Sequence, residues 1–205
     1  MIRSIFLRGS VVTYTPRIVA FAGSTREKSF NKQLIKIAAA GARAAGAEVT
    51  LVDLRDLALP LYDEDLEASS GLPAGAKQLR DLMLASDGLM ISSPEYNSSI
   101  SAVLKNTIDW VSRKQPGDKQ GLAAFASKTA VLMSASPGAL GGLRGLVHLR
   151  AILGNIDVLV LPGQVAISAA NDAFLPDGTL KDPKKQEAVE GLGKKLTEML
   201  KKLKG

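Results

Sequence analysis

Strand-length apolar runs alternate with helical patterns along almost the whole chain, and this alternation limits the possible folds more than any single motif does. Residues 18–22 (IVAFA) read as a first buried strand, 31–45 as a first helix rich in Ala, Leu, Ile and Lys, and 48–53 as a second strand. The runs are continuous rather than every-other-residue, which marks strands covered on both faces. Residues 54–71 read as a long polar loop, and Pro73 opens a second helix reaching about Ala85. A third strand follows at 88–92 (GLMIS) and a third helix at 102–112. Residues 129–134 make a fourth strand, 142–153 a fourth helix, 156–160 a short fifth strand, and 183–203 the last helix.

Five strands and five helices in this order predict an α/β fold: a flavodoxin-like, doubly wound, five-stranded parallel sheet of order 2-1-3-4-5 with helices on both faces. Residues 17–205 read as one domain, preceded by a flexible extension at 1–16, with no internal repeat. The 205 residues suffice to bury a core without disulfides or metal. With no cysteine and a single histidine, the chain lacks a thiolate nucleophile, an iron–sulfur ligand set and the usual zinc ligands. His148, the one histidine, reads as a structural residue on a helix flank.

The formal charge of +6 sits at the ends of the chain. Residues 1–17 hold three arginines and no acid, and residues 181–205 hold eight lysines against four acids, which leaves the body at −1. Lysines near a helix C-terminus are favoured by the helix dipole, so the tail needs no polyanionic partner. Nucleic-acid binding is not expected, because the folded body carries no basic cluster. No apolar run approaches the ~20 residues that cross a membrane, and residues 1–8 are too interrupted for a signal-peptide core. The expectation is a cytoplasmic protein with no membrane partner and no metal.

In the predicted topology the winding reverses beside strand 1, and the ligand crevice lies at the C-terminal ends of strands 1, 3 and 4. Those ends are residues 23–31 (GSTREKSFN), 93–98 (SPEYNS) and 134–142 (SASPGALGG). In the first loop Ser24, Thr25, Ser29 and Asn31 surround Arg26 ahead of a helix N-terminus, a natural phosphate seat. Ser29 could equally serve only to cap the helix. Neither G-x-x-x-x-G-K-[ST] nor G-x-G-x-x-G is present, so a mononucleotide with one terminal phosphate fits better than a nucleoside triphosphate or NAD in a Rossmann site. Pro94, Glu95, Tyr96 and Asn97 could line a planar ring, or merely end the strand and cover the core edge. Gly138, Gly141 and Gly142 permit close backbone approach to a ligand, or a tight turn into the next helix.

These loops, together with residues 59–66 (LPLYDEDL) and 104–110 (LKNTIDW), resemble the NAD(P)H-dependent FMN reductase family over about residues 17–200. Members of that family include quinone, azo-dye and chromate reductases. The resemblance implies that Ser24, Arg26, Ser29 and Asn31 hold the FMN phosphate. It implies that Pro94, Glu95, Tyr96 and Asn97 contact the isoalloxazine ring, largely through backbone, and that Ser136, Gly138, Gly141 and Gly142 close its other side. NADPH or NADH would be the co-substrate, and a quinone or other small-molecule acceptor would take the electrons in a ping-pong cycle. The flavin would perform the reaction, so no catalytic side chain is expected. A homodimer or homotetramer with the site near a subunit contact is also implied. A non-enzymatic FMN electron carrier is the alternative, although such carriers are strongly acidic and this body is nearly neutral; a regulatory flavin module is another. A phosphorylated receiver domain is excluded, since strand 3 ends in Ser92, Ser93 and Pro94 rather than aspartate.

Overall fold

The computed structural model describes residues 14–204, so residues 1–13 of the expected N-terminal extension lie outside it. The elements run β1 (Arg17–Ala22), α1 (Phe30–Ala44), β2 (Glu48–Val52), α2 (Glu64–Ser70), α3 (Ala74–Leu84), β3 (Gly88–Ser92), β4 (Glu95–Tyr96), β5 (Ser99–Ile100) and α4 (Ala102–Val111). They continue with β6 (Lys128–Ala135), α5 (Leu143–Asn155), β7 (Val158–Ile167), α6 (Ala170–Ala173) and α7 (Pro183–Lys204). Five strands pair in parallel in the order β2-β1-β3-β6-β7. With the small β4–β5 hairpin set aside, this is the flavodoxin-like order read from the sequence.

Alternate residues of the central strands feed two separate cores. Ile18, Ala20, Met90, Val131 and Met133 face α1 and α7, where Leu34, Ala38, Leu192 and Leu196 close over them. Val19, Phe21, Leu89, Ile91 and Leu132 face the other way, onto Leu79 and Met83 of α3, Leu104 and Ile108 of α4, and Leu146 and Leu149 of α5. Strands β3 and β6 are buried at every residue, which is why they carry unbroken apolar runs.

The structure departs from the sequence reading in three places. The polar loop after β2 contains α2, whose N-terminus Asp63 caps by accepting from the backbone N–H groups of Asp65 and Leu66 at 2.8 and 3.3 Å. Glu64, Asp65 and Glu67 sit in its first turn, so the acidic cluster complements the helix dipole. The turn after β3 is a hairpin, with Asn97 and Ser98 both at positive φ (50° and 66°), as a two-residue turn of this hand requires. Finally, β7 runs for ten residues instead of ending at Val160. An edge strand tolerates Pro162, and a register shift between Ala130 and Leu132 of β6 absorbs the irregularity.

Two ion pairs secure the frame near the sheet's ends. Lys32 of α1 lies 2.5 Å from Asp53 at the end of β2; burial works to raise the Asp53 carboxyl, but the Lys32 ammonium together with the Arg55 N–H and charge outweighs it and holds the group below the usual range. Lys204 of the basic tail lies 2.9 Å from Asp87, so this end of α7 is tied to the body. Among the described residues, no helix is long and apolar enough to cross a membrane.

Candidate functional site

The crevice forms where three strands stop together. The Gly23 N–H donates to the Ser92 carbonyl (2.9 Å), the Ser93 N–H to Met133 (2.9 Å) and the Ser136 N–H to Ile167 (3.0 Å), so each loop leaves the sheet from a fixed point. Ser101, which caps α4, also donates its hydroxyl to the Gly23 carbonyl at 2.6 Å and ties the first loop to the hairpin's far end.

The first loop ends at α1, and the capping alternative for Ser29 does not hold. Ser29 has the extended backbone of an N-cap, yet its hydroxyl caps nothing, and the first turn carries no acid. The N–H groups of Phe30 and Asn31 therefore open the helix without an acceptor among the described residues, beside an Arg26 that forms no ion pair there. That is a donor-rich, dipole-positive surface of the kind an anion needs. Ser24 turns its hydroxyl inward to accept from the Arg26 N–H at 3.3 Å.

Asn31 is placed differently from the sequence reading. Its side chain is 3% exposed and fully engaged. Nδ2 donates to the Ala135 carbonyl at 2.9 Å, while Oδ1 accepts from the Ala135 N–H at 3.0 Å and the Ser92 hydroxyl at 2.9 Å. The amide thus acts as a one-residue strand partner for the end of β6. What Asn31 leaves unpaired toward the crevice is its backbone N–H.

Glu95 works in the same way for the second loop. Its carboxylate accepts from Arg144 Nε at 2.8 Å, Arg144 Nη2 at 2.5 Å and the Gly145 N–H at 3.1 Å, so it caps α5 from 50 residues away. Burial pushes the Glu95 carboxyl up, but the Gly145 N–H and the Arg144 guanidinium prevail and hold it below the usual glutamate range. Tyr96 stands 53% exposed at the mouth.

The glycines of the third loop also have a different role from close ligand approach. A Cβ on Gly141 would lie 2.7 Å from the Ile167 carbonyl carbon, and one on Gly142 would lie 1.8 Å from Ser134 Oγ. Both residues hold positive φ, 62° and 92°. They let the loop press onto β6 and β7 and turn into α5. Gly138 alone faces open space, its nearest neighbour for a Cβ being Ser136 Oγ at 3.8 Å.

One cavity of about 200 Å³ gathers Ser24, Arg26, Ser29, Asn31, Pro94, Glu95, Tyr96 and Ser136. Phe30, Ala135 and Pro137 complete its lining and were not expected from the sequence, although all three lie inside the motifs. Asn97, Gly138, Gly141 and Gly142 do not line it. Larger depressions lie elsewhere, about 860 Å³ between α1, β7 and α7 and about 550 Å³ between α1 and β2. The first is remote from the strand ends; the second touches Ser29 and the ends of β1 and β2 but takes in neither the Pro94–Tyr96 turn nor the loop after β6, which the smaller cavity joins. Beside the site, the 59–66 and 104–110 motifs meet: Trp110 Nε1 and Asn106 Nδ2 both donate to the Pro60 carbonyl at 2.8 Å, and the Tyr62 ring stands edge-on to Trp110.

A flavodoxin-like sheet with an anion-receptive helix N-terminus at its switch point defines a mononucleotide-binding α/β protein. The model of the NADPH-dependent FMN reductase family matches residues 16–172, and the chain belongs to that family. With the family come oxidoreductase chemistry and the FMN and NAD(P)H it uses. An NAD(P)H-dependent FMN reductase of Pseudomonas aeruginosa is 36% identical over 177 residues, spanning 85% of this chain and 89% of its own. A quinone reductase of Escherichia coli K12 is 35% identical over 147 residues, 71% of this chain and 73% of its own. Among solved structures, a flavoenzyme NAD(P)H:(acceptor) oxidoreductase from Paracoccus denitrificans superposes with a TM-score of 0.77 at 26% identity, covering 92% of this chain and 98% of that one.

Proposed function

We propose that this chain is an FMN-dependent NAD(P)H oxidoreductase that delivers electrons to quinone-type acceptors by a ping-pong cycle, with azo compounds and chromate as further oxidants. The observation that carries this reading is the single cavity uniting eight of the twelve expected site residues at an uncapped helix N-terminus. The donor set fits FMN: backbone N–H groups, the Ser29 hydroxyl and the Arg26 guanidinium suit a dianionic phosphate. Pro94, Glu95 and Tyr96 form a wall beside it whose backbone is held rigid by the hairpin and by the Glu95–Arg144 contact. When bound, FMN supplies hydride chemistry between NAD(P)H and the acceptor.

The residues of this chain bind, orient and exclude water. Arg26 and the α1 N-terminus fix the phosphate end. The strand-end bonds of Gly23, Ser93 and Ser136 keep the loops from drifting as substrates exchange. A cavity of about 200 Å³ seats the phosphate and one ring edge rather than enclosing a whole mononucleotide. The open side, bordered by exposed Tyr96, Leu140, Leu143 and Val147, supports exchange of substrates there and assembly as a homodimer or homotetramer.

The test is direct. Purified protein should be yellow or take up added FMN, and should oxidise NADPH or NADH with a quinone. A colourless protein that ignores FMN refutes the reading. Bound FMN without NAD(P)H oxidation points to an electron carrier or sensor.

A further inference from the structure

Ser99 and His148 form a polar pair beside the crevice that the flavin reading leaves without a role. We infer that His148, oriented by Ser99, donates the proton that a quinone takes up along with hydride, an inference that rests on the reductase reading above. His148 Nδ1 lies 2.9 Å from Ser99 Oγ. Ser99 stands directly opposite Tyr96 in the hairpin, and opposed residues of an antiparallel pair project from the same face. Tyr96 lines the cavity, and Ser99 opposite it holds the imidazole beside the same face of the hairpin, just outside that lining. His148 lies exposed on the flank of α5. One turn earlier on α5, Gly145 is fixed to Glu95 Oε2 at 3.1 Å, which presses this helix face onto the hairpin.

Reduction of a quinone to a hydroquinone adds two electrons and two hydrogens. The hydride, carrying both electrons, comes from the reduced flavin. The proton leaves Nε2 of the imidazolium for the second quinone oxygen, and the neutral imidazole recovers a proton from solvent. A bond from Nδ1–H to Ser99 leaves Nε2 as the outward donor. Few other charges face the group. Of the strands packed on α5, β4 brings Glu95 and Tyr96, β5 and β7 bring none, and β6 brings only Lys128 at its opposite end. On α5 itself, Arg144 is bound to Glu95 and Arg150 to the Val160 and Leu161 carbonyls. Histidine is the side chain suited to carry and release a proton at neutral pH.

The experiment compares FMN-loaded wild type, His148→Gln and Ser99→Ala with NADPH as donor. The acceptors are menadione, which needs protons, and ferricyanide, which takes electrons alone. The ratio of kcat/KM for menadione to that for ferricyanide should fall about a hundredfold or more in His148→Gln, the usual range for a general acid, and by less in Ser99→Ala. Because the chain has one histidine, its ring resonances can be followed singly by NMR. They should move when menadiol is added to wild type, without turnover. An unchanged acceptor ratio, or ring resonances indifferent to menadiol, overturns the inference. Wild type that turns over neither acceptor overturns the reductase reading instead.

Discussion

Replacing Asn31 by Ala should loosen all three crevice loops at once. The substitution deletes three buried hydrogen bonds, to the Ala135 carbonyl, the Ala135 N–H and the Ser92 hydroxyl. Each contributes about 1 kcal/mol net, and the Ala135 N–H and carbonyl at the end of β6 lose these partners in a buried setting. The expected loss is therefore about 3 kcal/mol, equivalent to a fall in Tm of about 6–12 °C for a domain of this length. Thermal melting of apoprotein followed by circular dichroism measures it, and FMN titration by fluorescence quenching measures the effect on the crevice. Asn31→Asp separates shape from chemistry. It keeps the volume and the bond from the Ala135 N–H, but sets a carboxylate oxygen against the Ala135 carbonyl beside the phosphate seat. It should weaken FMN binding more than its melting temperature suggests. A loss below about 0.5 kcal/mol in Asn31→Ala would show that the loops hold their places without the amide.

Other substitutions probe the remaining contacts. Arg26→Ala combined with Ser29→Ala should weaken FMN retention by about tenfold or more, as loss of a charged phosphate contact does, and leave the melting temperature of apoprotein nearly unchanged. Gly142→Ala places a side chain at φ 92° and against Ser134, so a loss of about 2 kcal/mol or more is expected in denaturant unfolding. Glu95→Gln should destabilise the protein at neutral pH. Because the Glu95 carboxyl is held below its ordinary value, its stabilisation is complete above the usual glutamate pKa of about 4.3 and fades as pH falls below it. The gap between Glu95→Gln and wild type should therefore close in acid; a gap that stays constant from pH 7 to 3 would contradict the assignment.

The sheet was legible because its strands are buried on both faces, so runs such as 88–92 have no polar interruption to confuse with a helix. The elements that escaped are those too short to carry a period. Strands β4 and β5 have two residues each, and α2 buries none of its seven, so neither writes an apolar pattern. Pro162 and Gly163 hid the second half of β7, since only its position at the sheet edge makes them tolerable. At the site, residue types pointed to the crevice loops that meet in one cavity, while the division of labour among them was invisible. Asn31 meets partners 61 and 104 residues away and Glu95 meets one 49 away, and no local spacing encodes such meetings. For Gly141 and Gly142 the sequence left ligand approach and a tight turn equally open, because it shows a missing side chain but not what occupies its place.

The suspension of the Pro60 carbonyl from Asn106 and Trp110 has a consequence for anyone recombining this chain with a relative. Leu61, 80% exposed, and Tyr62 follow directly on that anchor, so the outer rim of the molecule takes its shape from the inner side of α4. Residues 59–62 and 104–110 therefore behave as one inherited block, although more than 40 positions separate them. A chimaera with its crossover between them would inherit a rim from one parent and its hanger from the other. Moving the two segments together transplants the rim intact.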